Sequence, residues 1–280
     1  MALHTIEPIA HMHTNLTGKF GLPRQAGVVP ELTGVITFEP DYRCADALRG
    51  LEGFSHIWLL WGFSESAKEE HHGFYGDAPY APTVRPPRLG GNLRRGVFAT
   101  RSPFRPNDIG MSVVKLEALY LPATMIGEEN DEQYNPGQEL IRYKTVLPEG
   151  PQIVVSGVDL MDGTPIYDIK PYMPYSDSIP EAASGFTTGA TDLKLKLANE
   201  EALHEFAVAA GLDEEMEAEL VGILRNDPRP QYQRDPDRIY GLTYGGHNVR
   251  FRIEDKPEPL PSEVTVIEIE YKELQKTRHR

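Results

Sequence analysis

The amino-acid sequence predicts a mainly β protein, with a barrel or a sandwich in its N-terminal part and a small α+β unit behind it. Short β-prone runs separated by turn residues fill the first part, and the chain has 24 Pro and 25 Gly. Helical periodicity of apolar residues begins only after about residue 192. We therefore predict one domain at 1–180 and a second domain at 181–280.

Five runs in the N-terminal part are predicted strands because they are apolar or rich in β-branched residues. They are residues 34–39, 54–63, 96–100, 111–119 and 152–160. Two polar intervals, 64–93 and 121–150, contain Pro, Gly and other turn residues and are predicted to be mobile loops.

The C-terminal part shows two helical periods followed by two alternating runs. Residues 201–210 place apolar side chains on one face of a helix, and Asp213 is the predicted N-cap of a second helix. The Asn-Asp-Pro sequence at 226–228 ends that helix. Residues 248–253 and 264–270 alternate in the manner of strands.

Charge and composition narrow the class of protein. The net charge of -14 and the pI of about 5.1 argue against non-specific adhesion to nucleic acid or to an anionic membrane. No run approaches the ~18 apolar residues of a membrane span. Residues 1–14 lack the basic and apolar regions of a secretory signal. With Cys44 as the single cysteine, these features predict a cytoplasmic protein without an internal disulfide.

Several common sites are missing from the sequence. There is no Walker sequence, no Gly-x-Gly-x-x-Gly that opens a βαβ unit, and no Gly-x-Ser-x-Gly nucleophile elbow. The histidine pairs at 11/13 and 71/72 have no matching Cys/His set, so no metal site is predicted.

One stretch concentrates positive charge. Residues 78–107 contain no Asp or Glu. The same stretch holds Arg85, Arg88, Arg94, Arg95, Arg101 and Arg105. The planar guanidinium pairs bidentately with phosphate or carboxylate, so the stretch is predicted to bind an anion. The alternative is a solvated arginine-rich loop.

Two longer motifs indicate chemistry. In 98–114, Pro103 and Pro106 stiffen a loop whose arginines are therefore preorganised for an anion, unless the loop is only structural. In 157–172, three aspartates, one lysine and two tyrosines surround an Asp-Gly turn at 162–163. These carboxylates can bind ribose hydroxyls or an ammonium group, or accept a proton. Asp also favours turns for structural reasons, and a lone His56 among apolar residues is more often a core residue than a catalyst.

These motifs resemble the signatures of the TsaA-like proteins, also called the TrmO family. The similar segments are 99–112 and 157–172, with shorter matches at 23–25 and 54–58, and with 227–232, 239–241 and 248–252 resembling the C-terminal domain of bacterial members. The resemblance covers nearly the whole chain.

The resemblance implies a β-barrel methyltransferase that uses S-adenosylmethionine and is unrelated to Rossmann-like methyltransferases. It further implies a homodimer with the cofactor near the subunit interface and no membrane partner. The implied substrate is N6-threonylcarbamoyladenosine at position 37 in the anticodon stem-loop of tRNA, which gains an N6-methyl group. Carried over by motif, the cofactor contacts fall on Pro23, Arg24, Gln25, His56, Ile57, Arg101, Met111, Asp159, Leu160, Met161 and Asp162.

The implied reaction gives roles to further residues. A base is useful because the carbonyl substituent makes the N6 proton more acidic, and the catalytic candidates are Tyr172, Asp159, Lys170 and Asp168. The threonyl carboxylate needs a cation, for which Arg101 and Arg105 are suited. The predicted substrate-binding residues are Arg94, Arg95, Arg105 and Asn107.

The sequence departs from the family pattern in two places. Asp108 stands where Pro or Gly is usual, which affects the turn after Asn107, and the acidic interval 121–150 is longer than usual. Two other interpretations also stay open. One is a methyltransferase of the same fold that acts on another RNA or on a small molecule. The other is a non-catalytic module that binds S-adenosylmethionine or RNA.

Overall fold

The structure, a computed structural model, describes residues 5–63, 80–86, 93–121, 150–187, 194–229, 235–257 and 260–271, with the backbone of 144–145. The predicted loops at 64–93 and 121–150 lie largely outside the described residues, as does Arg88. The strands are β1 (Ala10–His13), β2 (Thr33–Phe38), β3 (His56–Gly62), β4 (Thr83–Val84), β5 (Arg95–Gly96), β6 (Ile109–Leu121), β7 (Lys144–Thr145), β8 (Gln152–Ser156), β9 (Thr164–Pro171), β10 (Lys196–Leu197), β11 (Tyr240–Tyr244), β12 (His247–Glu254) and β13 (Glu263–Tyr271). The α-helices are α1 (Pro174–Asp177), α2 (Glu200–Ala210) and α3 (Glu214–Arg225).

Six antiparallel strands close into a barrel. Their order is β3-β9-β1-β2-β8-β6, and β6 pairs back with β3. That closing ladder runs from His56 opposite Lys115 to Gly62 opposite Ile109. β7 adds to β6 in parallel outside the barrel, while β4 and β5 form a separate hairpin. The sequence left a barrel and a sandwich open, and closure removes the unpaired sheet edges that a sandwich keeps.

Alternation along each strand separates the barrel interior from its outer face. On β3, Ile57, Leu59 and Trp61 are buried, while His56 and Trp58 are half-buried on the outer side. Glycine is needed where this wall meets bulky side chains. A Cβ on Gly110 would lie 2.4 Å from the Trp61 indole, and a Cβ on Gly62 would lie 2.3 Å from the Tyr167 hydroxyl.

Two predicted strands are shorter than the sequence indicated. Residues 97–99 form a 3-10 turn instead of extending β5, and the Thr100 hydroxyl donates to the Val97 carbonyl oxygen at 2.8 Å. β8 ends at Ser156 because Gly157 adopts a left-handed φ of 71° that turns the chain. The strands at 10–13, 164–171 and 240–244 were not predicted.

The C-terminal unit is a four-stranded sheet with order β10-β13-β12-β11. α2 packs on this sheet, and Leu203 and Ala207 on its inner face are buried. The prediction that Asp213 caps the second helix is confirmed, since its carboxylate accepts from the Met216 N–H at 2.8 Å. None of the helices in the described ranges is long and apolar enough to span a membrane.

The connection between β1 and β2, residues 14–32, lies against the C-terminal unit. The Gly245 N–H donates to the Asn15 carbonyl oxygen at 2.8 Å, and the Phe20 ring stacks on Tyr240 with centroids 6.2 Å apart. One hydrophobic core therefore joins the barrel and the C-terminal unit. The boundary at residue 180 stays a prediction.

Candidate functional site

Asp159 lies at the centre of a polar cluster at one end of the barrel. The Ser112 hydroxyl donates to Asp159 Oδ1 at 2.7 Å, and the Trp61 indole N–H donates to the Ser112 oxygen at 3.0 Å. Burial raises the pKa of the Asp159 carboxyl. The opposing influences, in order, are the Ser112 hydrogen bond, the backbone N–H groups of Asp159 and Ala26, and the charge of Arg101.

Arg101 reaches this cluster from the arginine-rich loop. Its Nη1 donates to the Gln25 side-chain oxygen, and the adjacent Ala26 N–H bonds to Asp159. The structure therefore brings together residues from three sequence motifs, at 23–25, 98–114 and 157–172. We call the cluster of Gln25, Arg101, Ser112 and Asp159 the Asp159 centre.

The loop that presents Arg101 is held in one conformation by Arg105. Arg105 Nη1 donates to the carbonyl oxygens of Val97 at 3.2 Å and Thr100 at 2.7 Å. These bonds hold the loop, which also contains Pro103 and Pro106. The sequence assigned Arg105 to substrate alone, and the structure gives it a local structural role as well.

The unusual Asp108 occupies a left-handed position. Its φ is 44°, a region that Gly enters freely and that Asp enters more readily than most residues. Its carbonyl oxygen accepts from the Phe63 N–H at 2.9 Å, which ties the loop to the end of β3. Proline cannot adopt this φ. Asp108 therefore has the backbone conformation that a glycine would have at this position, and not that of a proline. Asn107, the preceding residue, is exposed.

A second group of predicted residues lies on the outer face of the barrel. The Tyr172 ring lies 5.9 Å from the Trp58 ring and 6.4 Å from the His56 ring, measured between centroids. Met111 is 57% exposed and pairs with Leu60 across the β3–β6 ladder. We call the surface formed by His56, Trp58, Leu60, Met111 and Tyr172 the Tyr172 face.

The Asp159 centre and the Tyr172 face are separated by the barrel wall. Ser112, which holds Asp159, points into the barrel and is buried, whereas His56 and Trp58 point outward. Ser112 pairs with Leu59, which lies three positions from His56 on β3. The positions of Ser112 and His56 are therefore also ~10 Å apart along the strand direction. Within one chain, Tyr172 and Asp159 therefore do not face the same space.

Other predicted cofactor residues are distributed around these two groups. The side chains of Ile57 and Leu160 are buried in the core, so only their backbone is available to a ligand. Asp162 is exposed and lies beside His13, with Nδ1 3.4 Å from Oδ1. The Met161 carbonyl oxygen accepts from the Thr164 hydroxyl at 2.7 Å, which fixes the turn before β9.

The segment 23–25 divides between the two units of the chain. Pro23 is buried, and Arg24 Nη2 donates to the Arg229 carbonyl oxygen of the C-terminal unit at 3.1 Å. Gln25, by contrast, points to the Asp159 centre. The structure thus places Arg24 at the contact between the units.

The remaining predicted residues lie on the surface. Lys170 Nζ is 2.7 Å from Asp168 Oδ2, an exposed ion pair on β9. Arg94 Nη1 donates to the Thr83 hydroxyl at 3.1 Å, and the Arg95 guanidinium lies 5.5 Å from the Phe186 ring centroid. These contacts hold the arginines along the β4–β5 hairpin.

The sequence did not single out five residues that form or support these sites. They are Ser112 of the Asp159 centre, Trp61 and Ala26 that bond to its members, and Trp58 and Leu60 of the Tyr172 face. Ser112 and Trp58 lie inside sequence motifs, at 98–114 and 54–58, and the other three lie outside them. No group of three metal-ligating side chains occurs within the described ranges.

Both units of this chain are similar to known proteins. Residues 11–131 and 134–178 match the family model of the tRNA-methyltransferase O N-terminal domain, and residues 194–272 match that of the TrmO C-terminal domain. The tRNA (adenine(37)-N6)-methyltransferase of Escherichia coli K12 is 33% identical over 91% of this chain and 95% of its own length. The enzyme of the same name from Eikenella corrodens is 38% identical over 72% of this chain and 92% of its own length. A crystal structure of TrmO from Pseudomonas aeruginosa superposes with a TM-score of 0.62 at 28% identity, covering 96% of this chain and 99% of that one.

Proposed function

Because this chain belongs to the TrmO family of tRNA methyltransferases, we propose that it methylates N6 of N6-threonylcarbamoyladenosine at position 37 of tRNA, with S-adenosylmethionine as methyl donor. The observation that carries the proposal is the Asp159 centre. There, three distant motifs place one guanidinium and one carboxyl with a raised pKa beside each other.

The Asp159 centre fits the polar groups of the cofactor. S-adenosylmethionine supplies a methyl group on a sulfonium sulfur, and it also has a carboxylate, an ammonium group and two ribose hydroxyls. Arg101, exposed and held by Gln25, suits the carboxylate, and Asp159 suits the ammonium group or a hydroxyl. Methyl transfer is an in-line displacement, so these residues act mainly by orienting the reacting groups.

The surroundings of the four catalytic candidates support different roles. Lys170 and Asp168 pair with each other at 2.7 Å on the surface of β9, and we assign neither of them to proton transfer. Asp159 has a raised pKa, which makes its carboxylate a stronger proton acceptor than an ordinary aspartate. Tyr172 lies among aromatic rings that suit stacking with an adenine. We assign proton acceptance to Asp159 and base stacking to Tyr172.

A homodimer would reconcile these two roles. Since the barrel wall separates Asp159 from Tyr172 within one chain, a partner can supply the Tyr172 face to the Asp159 centre. The Tyr172 face contains Trp58, Leu60 and the exposed Met111, an apolar surface suited to an isologous interface. We propose that the enzyme is a cytoplasmic homodimer with shared sites.

Mixing two inactive variants tests the shared site. Asp159→Ala and Tyr172→Ala each remove one half, and a mixed dimer keeps one intact site, so co-refolding should restore about a quarter of wild-type activity. Sedimentation of the wild type should show a dimer. A 31.4 kDa monomer, or no recovery on mixing, would contradict the shared site.

We assign recognition of the tRNA to the arginine-rich stretch 78–107, which contains no Asp or Glu. Arg94 and Arg95 line the β4–β5 hairpin and suit phosphates, while the guanidinium plane of Arg105 is fixed and suits the threonyl carboxylate. Asn107 is exposed next to Arg105 and is assigned to the same substituent.

Nucleoside analysis tests the whole proposal. tRNA from cells that lack this protein should contain N6-threonylcarbamoyladenosine without its N6-methyl form. The purified protein should methylate tRNA that carries the threonylcarbamoyl group and not tRNA that lacks it. Equal methylation of both tRNAs would refute the requirement for the threonylcarbamoyl group.

A further inference from the structure

The Phe98 side chain is exposed to an unusual degree for an apolar ring. It is 69% exposed, although it belongs to the 3-10 turn 97–99, whose first residue Val97 is buried. The turn is fixed, because Arg105 and the Thr100 hydroxyl both bond to the Val97 carbonyl oxygen. One exposed apolar residue is ordinary, so the significance of Phe98 depends on the residues around it.

The surroundings of Phe98 are aromatic and cationic. The Arg105 guanidinium lies 5.8 Å from the Phe98 ring centroid, and the Tyr80 ring lies 6.0 Å away at an interplanar angle of 38°. No Asp or Glu occurs between residues 78 and 107. Arg101, three positions after Phe98, belongs to the Asp159 centre. The ring therefore lies beside the candidate active site within a positively charged stretch.

We propose that Phe98, with Tyr80 and Arg105, stacks an unpaired nucleobase of the tRNA that neighbours the target adenosine. Aromatic rings beside arginines bind single-stranded RNA because each base offers a π-face and each nucleotide adds a phosphate. A stretch that has arginines and no Asp or Glu favours RNA as the occupant, because every nucleotide of RNA has a negatively charged phosphate. The inference rests on the proposed tRNA substrate.

A fluorescent stem-loop tests the stacking. An anticodon stem-loop RNA with 2-aminopurine next to the target position should lose fluorescence on binding, because stacking quenches this base. Phe98→Ala should abolish the quenching and weaken binding roughly 5- to 150-fold, the range for loss of one stacked base. Phe98→Trp should retain both. The salt dependence of binding should not change, since Phe98 binds no phosphate.

Two controls separate the possible failures. S-adenosylmethionine binding by Phe98→Ala should match the wild type, so a defect there would indicate damage to the Asp159 centre. If Phe98→Ala binds the stem-loop normally, the stacking site is wrong while the proposed function stands. If the wild type sediments as a dimer and the Phe98→Ala variant sediments as a monomer, the Phe98 ring belongs to an interface between copies of this chain. A wild type that binds no tRNA would refute the proposed function itself.

A different observation concerns Glu219, a carboxylate on α3 that is 2% exposed. It accepts four hydrogen bonds: from the Thr33 N–H at 2.9 Å, the Thr33 hydroxyl at 2.5 Å, the Tyr244 hydroxyl at 2.5 Å and the Asn15 amide at 3.1 Å. Asn15 and Thr33 stand at the two ends of the connection between β1 and β2. The C-terminal unit thus holds both ends of that connection.

The middle of the same connection is held as well. Arg24 donates to the carbonyl oxygen of Arg229, whose buried guanidinium pairs with Asp227 at 3.0 Å and with Asp255. A Cβ on Gly21 would lie 2.3 Å from Leu242, so the two units approach as closely as a glycine permits. The residues that follow are Gln25 and Ala26, which bond to Arg101 and Asp159.

We infer that the C-terminal unit positions the cofactor-binding segment, with Arg24 and Glu219 as positioning residues. The four hydrogen bonds of Glu219 go to residues outside the Asp159 centre, so its effect on the cofactor must pass through the β1–β2 connection. This second inference rests on the proposed cofactor site and is independent of the tRNA that the enzyme uses.

Calorimetry on variants tests the positioning role. Arg24→Ala should raise the Kd for S-adenosylmethionine about tenfold, equivalent to about 1.4 kcal/mol. Its KM for the cofactor should rise while kcat and the KM for tRNA change little. Glu219→Gln keeps one oxygen that can accept from the Thr33 N–H and hydroxyl, and this variant should bind the cofactor better than Glu219→Ala. Asn15→Ala removes one bond to Glu219 and provides a milder variant if Glu219→Ala fails to fold.

Arg250→Ala is the matched control, because Arg250 lies on β12 and pairs with Glu268 of the neighbouring strand β13, within the C-terminal sheet. Its Kd should equal that of the wild type. If Arg24→Ala and Asn15→Ala lower Tm without changing the Kd, the C-terminal unit only stabilises the chain and the inference is wrong. If the wild type itself binds no S-adenosylmethionine, the proposed cofactor site fails first.

Discussion

Glu219 and Asp159 are two carboxylates of this chain that are shielded from water to different degrees, and their surroundings separate a reactive position from a structural one. Glu219 is enclosed between the two units and accepts four hydrogen bonds, all from groups fixed in the fold. Asp159 is only half-buried and accepts from Ser112 and two backbone N–H groups, with the exposed Arg101 beside it.

The two carboxylates differ more in how many of their acceptor positions are occupied than in their burial. All acceptor positions of Glu219 are occupied by neighbours, and burial together with the Glu219 hydrogen bond raises the pKa of the Tyr244 hydroxyl. For Asp159, burial outweighs its hydrogen bonds and raises the pKa, and its cationic neighbour Arg101 is exposed to solvent. A ligand can therefore change the partners of Asp159 but not those of Glu219.

The largest expected effect tests the structural half of this comparison. Glu219→Ala removes the acceptor of the Thr33 N–H and of the Thr33 hydroxyl, whereas Tyr244 can still donate to the Met216 carbonyl oxygen. Each unsatisfied donor costs about 1–3 kcal/mol, so the unfolding free energy should fall by about 2–6 kcal/mol. Urea denaturation measures it, with the half-exposed Glu268→Ala as control, for which the loss should be below about 1 kcal/mol. Similar losses for both variants would mean that Glu219 is not a saturated structural group.

The next effect tests the reactive half. Asp159→Asn removes the proposed proton acceptor, so kcat/KM should fall about 10²- to 10⁴-fold. The unfolding free energy should change by less than about 1.5 kcal/mol, because the amide still accepts from Ser112. A variant that keeps its activity but loses stability would reverse the roles of the two carboxylates.

The pH dependence of stability gives a smaller but directional test. Because burial raises the pKa of Asp159, the folded protein holds this proton more tightly than the unfolded chain, whose aspartates have a pKa of about 3.9. The contribution of Asp159 is therefore present below that value and is lost as pH rises through the raised pKa. Wild type should lose unfolding free energy relative to Asp159→Asn over this window, as measured by urea denaturation at stepwise pH. A gain would mean that Arg101 dominates over burial.

The elements that the sequence predicted correctly are those with local signals. Strands such as 34–39 and 111–119 and the cap at Asp213 were readable because their signals are local alternation and a side chain that bonds three residues on. The turn at 97–99 could not be predicted in this way. A short apolar run is compatible with a strand and also with a turn that buries only Val97, and the sequence does not distinguish the two.

The sites depended on long-range contacts. Asp159 was predicted to matter, but its partner Ser112 stands 47 positions away, and only barrel closure brings the two together. Glu219 looks like a surface residue of an amphipathic helix, and it is buried because Thr33 supplies donors from 186 positions away. The motif at 23–25 was the only basis for the prediction that Arg24 binds the cofactor. No local signal indicated that Arg24 faces the C-terminal unit.

The smallest effect separates two arginines of one stretch. Arg101 belongs to the Asp159 centre, so Arg101→Ala should weaken S-adenosylmethionine binding by about 1.5–3 kcal/mol, the range for one charge-assisted bond, with little change in tRNA affinity. Arg94 donates to Thr83 on the β4–β5 hairpin, and Arg94→Ala should leave the cofactor bound normally.

Arg94→Ala should instead lower tRNA affinity modestly and reduce the slope of log Kd against log salt by about 0.7–0.9, because each phosphate that an arginine no longer neutralises keeps its counterion. Arg95→Ala should behave in the same way, and Arg105→Ala should reduce the preference for threonylcarbamoylated tRNA. Filter binding at several salt concentrations measures all four variants. If they change tRNA affinity alike and with equal slopes, the stretch is one electrostatic surface, and Asp159 has no cationic partner dedicated to the cofactor.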